Sequence, residues 1–111
     1  MAGPRRRQKN DAIRESLATY GDDGAAERHI VHYAYPFPTA DLSQRPAMIS
    51  ALQSQGFTVR DAATQDGLVM EHHGPVSMGD FDDFTEQLER WFASLAWDYD
   101  GWECAVVRSI N

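Results

Sequence analysis

The most constraining feature of the chain is a periodic apolar pattern in its second half. Between Asp80 and Trp97, apolar residues recur at i, i+3, i+7, i+10, i+11 and i+14: Phe81, Phe84, Leu88, Trp91, Phe92 and Leu95. This spacing predicts an amphipathic helix with one buried side. We expect four acidic residues on its outer, solvated side: Asp82, Asp83, Glu86 and Glu89. Ser77 and Asp80 predict a weak capping box at the start of this helix.

Two further helices are predicted closer to the N-terminus. Apolar residues at helical spacing indicate a short first helix over about residues 8–20, which ends at the GDDG sequence of residues 21–24. A second helix is predicted within residues 41–55. We expect it to begin late, near Ser43 or Gln44, because Pro46 removes a backbone donor and crowds the preceding turn.

Four segments have the composition of β-strands. Runs of β-branched and aromatic residues predict strands at residues 28–35, 57–61, 67–73 and 102–108. The second and third are expected to form an antiparallel hairpin through the Asp66-Gly67 pair. Asp100 and Gly101 are typical of a tight turn, so we expect the last strand to begin after them.

The order of these elements is a helix followed by βαββαβ. Applying the right-handed crossover rule to both βαβ connections gives a four-stranded antiparallel sheet with two helices on one side. The predicted fold is therefore an α+β ferredoxin-like sandwich with an extra N-terminal helix, in which the first strand lies between the third and fourth. The pattern does not decide whether the extra helix covers the other sheet face or packs at an edge.

The length of 111 residues is enough for one domain and too short for two. We assign residues 8–111 to a single domain and residues 1–7 to a mobile basic arm. Five of the ten basic residues occur in the first fourteen positions. Such an arm is typical of an exposed chain terminus.

The remaining chain is strongly acidic, although the formal net charge of the whole is only -7. Residues 15–111 contain sixteen Asp or Glu and five Arg, a net charge of -11. Because Lys and Arg hold nucleic-acid phosphates, this distribution disfavours direct binding of DNA or RNA. It favours a basic partner, including a protein segment that itself binds RNA.

Targeting and cysteine patterns indicate a cytoplasmic protein. No apolar run approaches the roughly 20 residues that a membrane-spanning helix needs, and no apolar stretch follows the basic start as in a secretory signal. The single cysteine, Cys104, has no partner for an internal disulfide. We expect no metal and no cofactor.

A catalytic alternative rests on the histidines and Cys104. In the expected sheet, one face could gather His32, either His72 or His73, and either Cys104 or Glu103. This arrangement would suit a small metal- or cysteine-dependent hydrolase if enough ligands, or a base and an orienting group, converge. Histidines packed against a sheet are the alternative interpretation.

A second alternative is an RNA-binding sheet. Tyr33, Tyr35 and Trp102 invite comparison with RNA-recognition sheets, in which exposed rings stack on bases. Here acidic residues, including Glu71 and Glu103, border the predicted strands, and no basic-aromatic RNA-recognition pattern is present. Core packing of these rings is therefore favoured.

Several segments in order resemble a known bacterial family. They are GDDG, RHIVHYAYPFP, QGFTV, GLVMEHHGPV, GDFDDFTEQLERWF and YDGWECAVV, and they extend over about residues 8–108. Together they resemble the regulator of ribonuclease activity B family, and the most specific element is the run from Tyr99 to Glu103. The resemblance implies a ferredoxin-like fold, no known catalytic site, and binding of ribonuclease E that reduces RNA cleavage.

Charge placement and this resemblance together predict a non-enzymatic protein that binds ribonuclease E or a basic region associated with it. We expect the acidic helix side to speed encounter, and two roles are open for the last aromatic run: Trp102 or Tyr99 is a partly exposed anchor, or Trp102 covers the sheet edge or core. The predicted partner-binding residues are Asp82, Asp83, Glu86, Glu89, Tyr99, Asp100, Trp102 and Glu103.

Overall fold

The computed structural model describes residues 3–77 and 79–108. The elements are α1 (Gly3–Ala18), β1 (Arg28–Pro36), a 3-10 turn (Leu42–Gln44), α2 (Arg45–Ser54), β2 (Thr58–Asp61), β3 (Leu68–Gly74), α3 (Asp80–Ser94) and β4 (Trp97–Cys104). The predicted α+β class, with three helices and a four-stranded antiparallel sheet, is confirmed. Within the described part of the chain, no helix has the length and apolarity needed to cross a bilayer.

The strands lie in the order β2-β3-β1-β4, and every neighbouring pair is antiparallel. β1 is therefore between the third and fourth strands, as predicted. Its residue His32 is opposite Met70 of β3 and Trp102 of β4. This register places the middle of β1 at the centre of the sheet.

The two faces of the sheet differ in burial. In β1, Ile30, His32 and Ala34 are fully buried, whereas the alternate residues Val31 and Tyr33 are half-buried. Successive strand residues point to opposite faces, so one inner face carries the core. The main core cluster joins this face to α2 and α3: Ala34, Met48, Leu52, Phe57, Leu68, Met70, Leu88, Phe92, Trp97 and Tyr99.

The extra helix α1 packs on the same inner face, beside α3. Leu17 of α1 belongs to a second cluster with Ile30, Val76, Phe81 and Trp102. All three helices therefore lie on one side of the sheet. Among the described residues, no helix covers the outer face.

The start of α2 agrees with the expected effect of Pro46. A short 3-10 turn, Leu42–Gln44, precedes the helix, and Asp41 caps that turn by accepting from the backbone N–H of Ser43. The α-helix then begins at Arg45, which puts Pro46 in its first turn. A proline is tolerated there because the first N–H groups of a helix have no partner within it.

Four predicted boundaries are wrong. The first helix begins at Gly3 rather than near residue 8, so residues 3–7 of the predicted mobile arm are helical; residues 1 and 2 lie outside the described part. The third helix ends at Ser94 rather than near residue 97, and the last strand runs from Trp97 to Cys104 rather than over residues 102–108. The backbone of Ala96 turns the chain at a φ of 62°.

The Asp100-Gly101 pair is not a turn before the strand. It lies inside β4, where Tyr33 faces Gly101 and Ala34 faces Tyr99, so Asp100 is the extra residue of a β-bulge. Gly101 has a φ of 114°, which accounts for glycine at this position. The predicted capping box is also wrong, because the N-cap residue of α3 is Gly79, which has no side chain to accept a capping hydrogen bond.

Candidate functional site

Asp82, in the first turn of α3, is buried against α1. Its carboxylate accepts one hydrogen bond from the Arg14 guanidinium at 3.0 Å and one from the side-chain nitrogen of Asn10 at 2.9 Å, and the oxygen bonded to Asn10 also lies 2.9 Å from a second guanidinium nitrogen of Arg14. Burial by itself would raise the pKa of Asp82, but the bonds from Arg14 and Asn10 outweigh it and hold the pKa below its usual value. Asp82 is therefore an internal anion, and its predicted place on the solvated side is wrong.

Asn10 is a fully buried junction between three elements. Its side-chain nitrogen also donates to the Thr85 hydroxyl at 2.9 Å, and its oxygen accepts the indole N–H of Trp102 at 2.8 Å. One amide thus connects α1 to α3 and to β4. Because each of these polar groups is buried with a partner, the junction avoids the cost of unsatisfied donors.

Arg6 extends the same interface toward the C-terminal end of α3. Its side chain is 2% exposed, and Nε lies 2.8 Å from Oε1 of Glu89. The guanidinium carbon lies 4.7 Å from the centroid of the Tyr99 ring, in cation–π geometry. The basic residue that we placed in a mobile arm is in fact part of the protein interior.

These contacts change the interpretation of the predicted partner-binding residues. Tyr99 and Trp102 are 3% and 6% exposed, so the expectation of a partly exposed aromatic anchor is wrong. Glu86 is half-buried and pairs with Arg90 on the same helix. Three of the eight residues are exposed: Asp83, Asp100 and Glu103.

A hydrogen-bonded relay of two histidines and a tyrosine lies at the centre of the inner face. Nδ1 of His32 is 2.6 Å from the Tyr99 hydroxyl, and Nε2 is 2.8 Å from Nε2 of His72. When Tyr99 donates to Nδ1, His32 carries its proton on Nε2 and donates to His72, so both buried donors have acceptors. His72 then carries its own proton on Nδ1, away from His32.

The surroundings of the relay favour the neutral form of both histidines. Burial, followed by the charges of His72 and Arg6, lowers the pKa of His32 to about 3. Burial also lowers the pKa of His72, with further contributions from His73 and His29. Burial likewise raises the pKa of Tyr99, which keeps its hydroxyl protonated.

The structure brings together only part of the predicted hydrolase site. His32 and His72 are adjacent, as that interpretation required. Cys104 is instead half-buried opposite Ile30, with Arg28 as a neighbouring charge, and burial raises the pKa of its thiol. A raised pKa disfavours the thiolate that a nucleophile needs. Within residues 3–77 and 79–108, no group of three or more His, Cys, Asp or Glu is placed to hold a metal ion.

The outer sheet face is polar and internally bonded. The Tyr33 hydroxyl donates to Glu103, and Glu71 faces His29 at 3.0 Å and Arg60 at 3.2 Å. The hydrogen bond to Glu103 raises the pKa of Tyr33. Trp102, the third ring of the RNA-binding alternative, is on the inner face and does not take part in this surface.

The α1–α3 polar interface is the feature that the sequence analysis missed. Its signal is present as helical spacing of polar residues: Arg6, Asn10 and Arg14 recur every four residues along α1. Hydrophobic periodicity weighs only apolar residues, so a polar stripe of this kind appears as a solvated helix. The partners of this stripe, Asp82 and Glu89, are seven residues apart and so lie on one side of α3. Comparison of the two polar stripes would have indicated the contact between the helices.

Comparison with known proteins agrees with the resemblance seen in the sequence. No curated protein matches the chain. Residues 7–104 match a family model described as regulator of ribonuclease activity B. The matched segment includes α2, α3 and all four strands, together with most of α1. Because the match extends over well more than half of the sequence, the chain belongs to the regulator of ribonuclease activity B family.

Proposed function

We propose that the protein is a non-enzymatic cytoplasmic regulator that binds ribonuclease E, or a basic region associated with it, and so modulates RNA processing and decay. The observation that carries this proposal is the family match over residues 7–104. The family name specifies regulation of a ribonuclease, and the simplest physical route to it is contact with that enzyme or its RNA-binding segments.

Charge supports a basic partner, but through fewer residues than the sequence suggested. Asp82 and Glu89 are occupied by Arg14 and Arg6 of α1, and Glu86 is occupied by Arg90. Within the described part of the chain, Asp83 and Asp100 are exposed and take part in no ion pair. Glu103 is exposed and accepts from Tyr33. We propose that these three exposed carboxylates, with Asp83 on the helical side and Glu103 on the outer sheet face, attract the partner, and we call them together the encounter surface.

The mechanism that follows is competition for a cationic surface. Exposed carboxylates attract Arg- and Lys-rich segments over a distance set by the ionic strength, which mainly accelerates association. A segment held in this way is unavailable to RNA phosphates, which bind the same side chains. Bond cleavage remains with the ribonuclease.

The test is binding and RNA cleavage with purified ribonuclease E. We expect the wild-type chain to bind and to change the rate of RNA cleavage, with an affinity that decreases as salt increases. The variant Asp83→Lys/Asp100→Lys should bind about tenfold more weakly at low salt, because each reversal replaces an attraction with a repulsion. Glu15→Lys/Glu27→Lys is the matched control, since it makes the same change in net charge at exposed positions elsewhere.

Three outcomes would contradict the proposal. Absence of binding by the wild-type chain would remove ribonuclease E as the partner. Equal weakening by both double variants would show a dependence on net charge without a defined surface. Tight binding of RNA alone at physiological salt would support the RNA-binding alternative instead.

A further inference from the structure

A groove runs between α2 and α3 on the helical side of the molecule. One part is a cavity of about 360 Å³ lined by both helices, including Leu52 of α2 and Trp91 of α3. A second cavity, of about 410 Å³, continues toward the start of α3 and includes His72. The two cavities share Gln55, Phe57 and Phe84, so they form one continuous depression that we call the α2–α3 groove.

The groove exists because α3 has its polar partner on the opposite side. Asp82 and Glu89 bind α1, and residues of α3 on the other flank recur at i, i+4, i+7 and i+11: Asp80, Phe84, Gln87 and Trp91. At 100° per residue, these four lie on a stripe roughly 140–180° around the helix from Asp82 and Glu89. α1 therefore leaves the groove side of α3 uncovered.

The floor of the groove is aromatic and apolar. Phe57 and Phe84 stack with ring centroids 5.8 Å apart, and Phe84 and Trp91 are both half-buried. Rings that are partly covered by their own chain retain apolar surface for a ligand. Concave sites of this type bind apolar side chains of a partner, often along a helix or an extended segment.

One end of the groove is acidic. Asp80 lines it, and Asp83 is exposed one turn further along α3. Among the described residues that line the two cavities, none is Lys or Arg. A segment that combines apolar residues with a Lys or Arg at one end is therefore complementary to the groove in both polarity and charge.

The histidine relay supplies a directed polar group at the same end. If Tyr99 donates to Nδ1 of His32 and His32 in turn donates to His72, the proton of His72 is on Nδ1. In that tautomer His72, which lines the groove, has a proton on Nδ1 to donate. It can bond to a backbone carbonyl of a bound segment, while Asp80 accepts from that segment's cationic side chain.

The dimensions limit the length of the occupant. From Asp80 to Trp91 the helix advances roughly 16 Å, since each helical residue contributes about 1.5 Å. This distance accommodates about three turns of a helix or about five extended residues. A short linear segment fits this length better than a folded domain surface.

We infer that the α2–α3 groove is the docking site for a short amphipathic segment of the partner protein, with apolar side chains against Phe84 and Trp91 and an Arg or Lys at Asp80. The inference rests on the proposed function, because the segment is taken to belong to ribonuclease E. The encounter surface would accelerate association, and the apolar contacts in the groove would slow dissociation of the partner. Tyr99 and Trp102 cannot provide such contacts because they are buried.

The experiment compares two arginine substitutions on α3 with purified ribonuclease E as the probe. Gln87→Arg places a cation in the groove, whereas Ala93→Arg places the same side chain at an exposed position on the other side of the helix. We expect Gln87→Arg to weaken binding about tenfold or more, mainly through faster dissociation, and Ala93→Arg to change it less than about twofold. Trp91→Ala should reproduce the effect of Gln87→Arg by removing the anchor contact.

Circular dichroism and thermal unfolding should show that Gln87→Arg and Ala93→Arg remain folded, since both positions are exposed. If the wild-type chain binds and only Asp83→Lys/Asp100→Lys weakens binding, the groove inference is wrong while the proposed function stands. If the wild-type chain does not bind ribonuclease E, both are wrong. Conversion of a dimer to a monomer by Gln87→Arg would identify a second copy of the chain as the occupant and overturn the inference.

Discussion

Arg14 and Asp82 form a two-pronged ion pair across the interface between α1 and α3, with N–O distances of 2.9 and 3.0 Å. The two side chains are 11% and 6% exposed. Removing one member of an ion pair at this depth destabilises the fold, because the remaining charge is buried with little access to solvent. The pair is one of the contacts that attach α1, together with the bonds of Arg6 and Asn10.

Replacing Asp82 should be costly, and replacing its neighbour should not. We expect Asp82→Asn to reduce the free energy of unfolding by about 2 kcal/mol, since it removes the buried charge beside Arg14 and leaves that guanidinium with the exposed Asp11 carboxylate. Asp83→Asn, at an exposed site on the same turn, should change it by less than about 1 kcal/mol. Urea denaturation monitored by circular dichroism measures both values, and equal losses would contradict the assignment of Asp82 to the interior.

The histidine relay predicts a dependence of stability on pH. The pKa of His32 is about 3 in the folded protein and 6.5 as its ordinary value, so the unfolded chain binds more protons between these pH values. Stability from this group is complete above pH 6.5 and is lost as the pH falls toward 3. The loss amounts to roughly 1.4 kcal/mol per pH unit below the unfolded pKa.

Denaturation between about pH 5.5 and pH 7.5 isolates the histidines, because the ordinary pKa values of carboxyl groups lie lower. His32→Gln cannot titrate and should show a shallower dependence of unfolding free energy on pH than the wild type. His73→Gln is the matched control at an exposed position, and its pH dependence should resemble that of the wild type. An unchanged slope in His32→Gln would contradict the relay.

The outer sheet face predicts a difference between two glycines of the β3 region. A Cβ on Gly67 would lie 2.6 Å from Cδ1 of Tyr35 and 2.9 Å from the carbonyl oxygen of Ala34. Gly67→Ala should therefore cost about 1–3 kcal/mol, since the ring and the backbone must both move. A Cβ on Gly74 has no neighbour within 4 Å among the described atoms, so Gly74→Ala should be neutral or slightly stabilising.

Thermal unfolding of the two glycine variants provides the comparison. A lower midpoint for Gly67→Ala alone would support the contact between Tyr35 and the β2–β3 connection. Equal midpoints would mean that Tyr35 moves aside without cost and does not stabilise the outer face.

Local sequence signals were sufficient for the order of elements and the position of β1 in the sheet. They worked because apolar alternation, helical spacing and crossover handedness depend on neighbours along the chain. The effect of Pro46 was predictable for the same reason, since a proline restricts its own turn. The same signals predicted which side of the sheet the helices cover, and that side carries the relay and the groove.

Tertiary contacts account for the errors. The start of α1 was missed because Arg6 and Asn10 are buried by polar partners on α3 and β4, which apolar periodicity does not register. The end of α3 was missed because Ala96 adopts positive φ, where glycine is the usual signal. Asp100 and Gly101 have turn composition, but pairing with β1 makes them a bulge inside β4.

The same lack of tertiary information affected the site. Acidic residues at helical spacing were treated as one solvated surface, yet two of the four are taken up by arginines of α1. A partly exposed anchor was expected at Tyr99 or Trp102, but both are buried, because the Tyr99 hydroxyl is bonded to His32 and Asn10 accepts from the indole N–H of Trp102. Whether a polar side chain finds a partner in the interior depends on where the helices pack, and the sequence did not decide where α1 packs.

The polar contacts that attach α1 also fix its position and its rotation relative to α3 and β4. Apolar contact is largely insensitive to direction, whereas the bonds of Asn10 to Asp82, Thr85 and Trp102 require defined distances and angles. A slip of α1 by one residue would move Asn10 about 1.5 Å along the axis and rotate it by about 100°. Inserting a single alanine between Arg6 and Asn10 would therefore misalign the two halves of the interface, even though the inserted residue favours a helix.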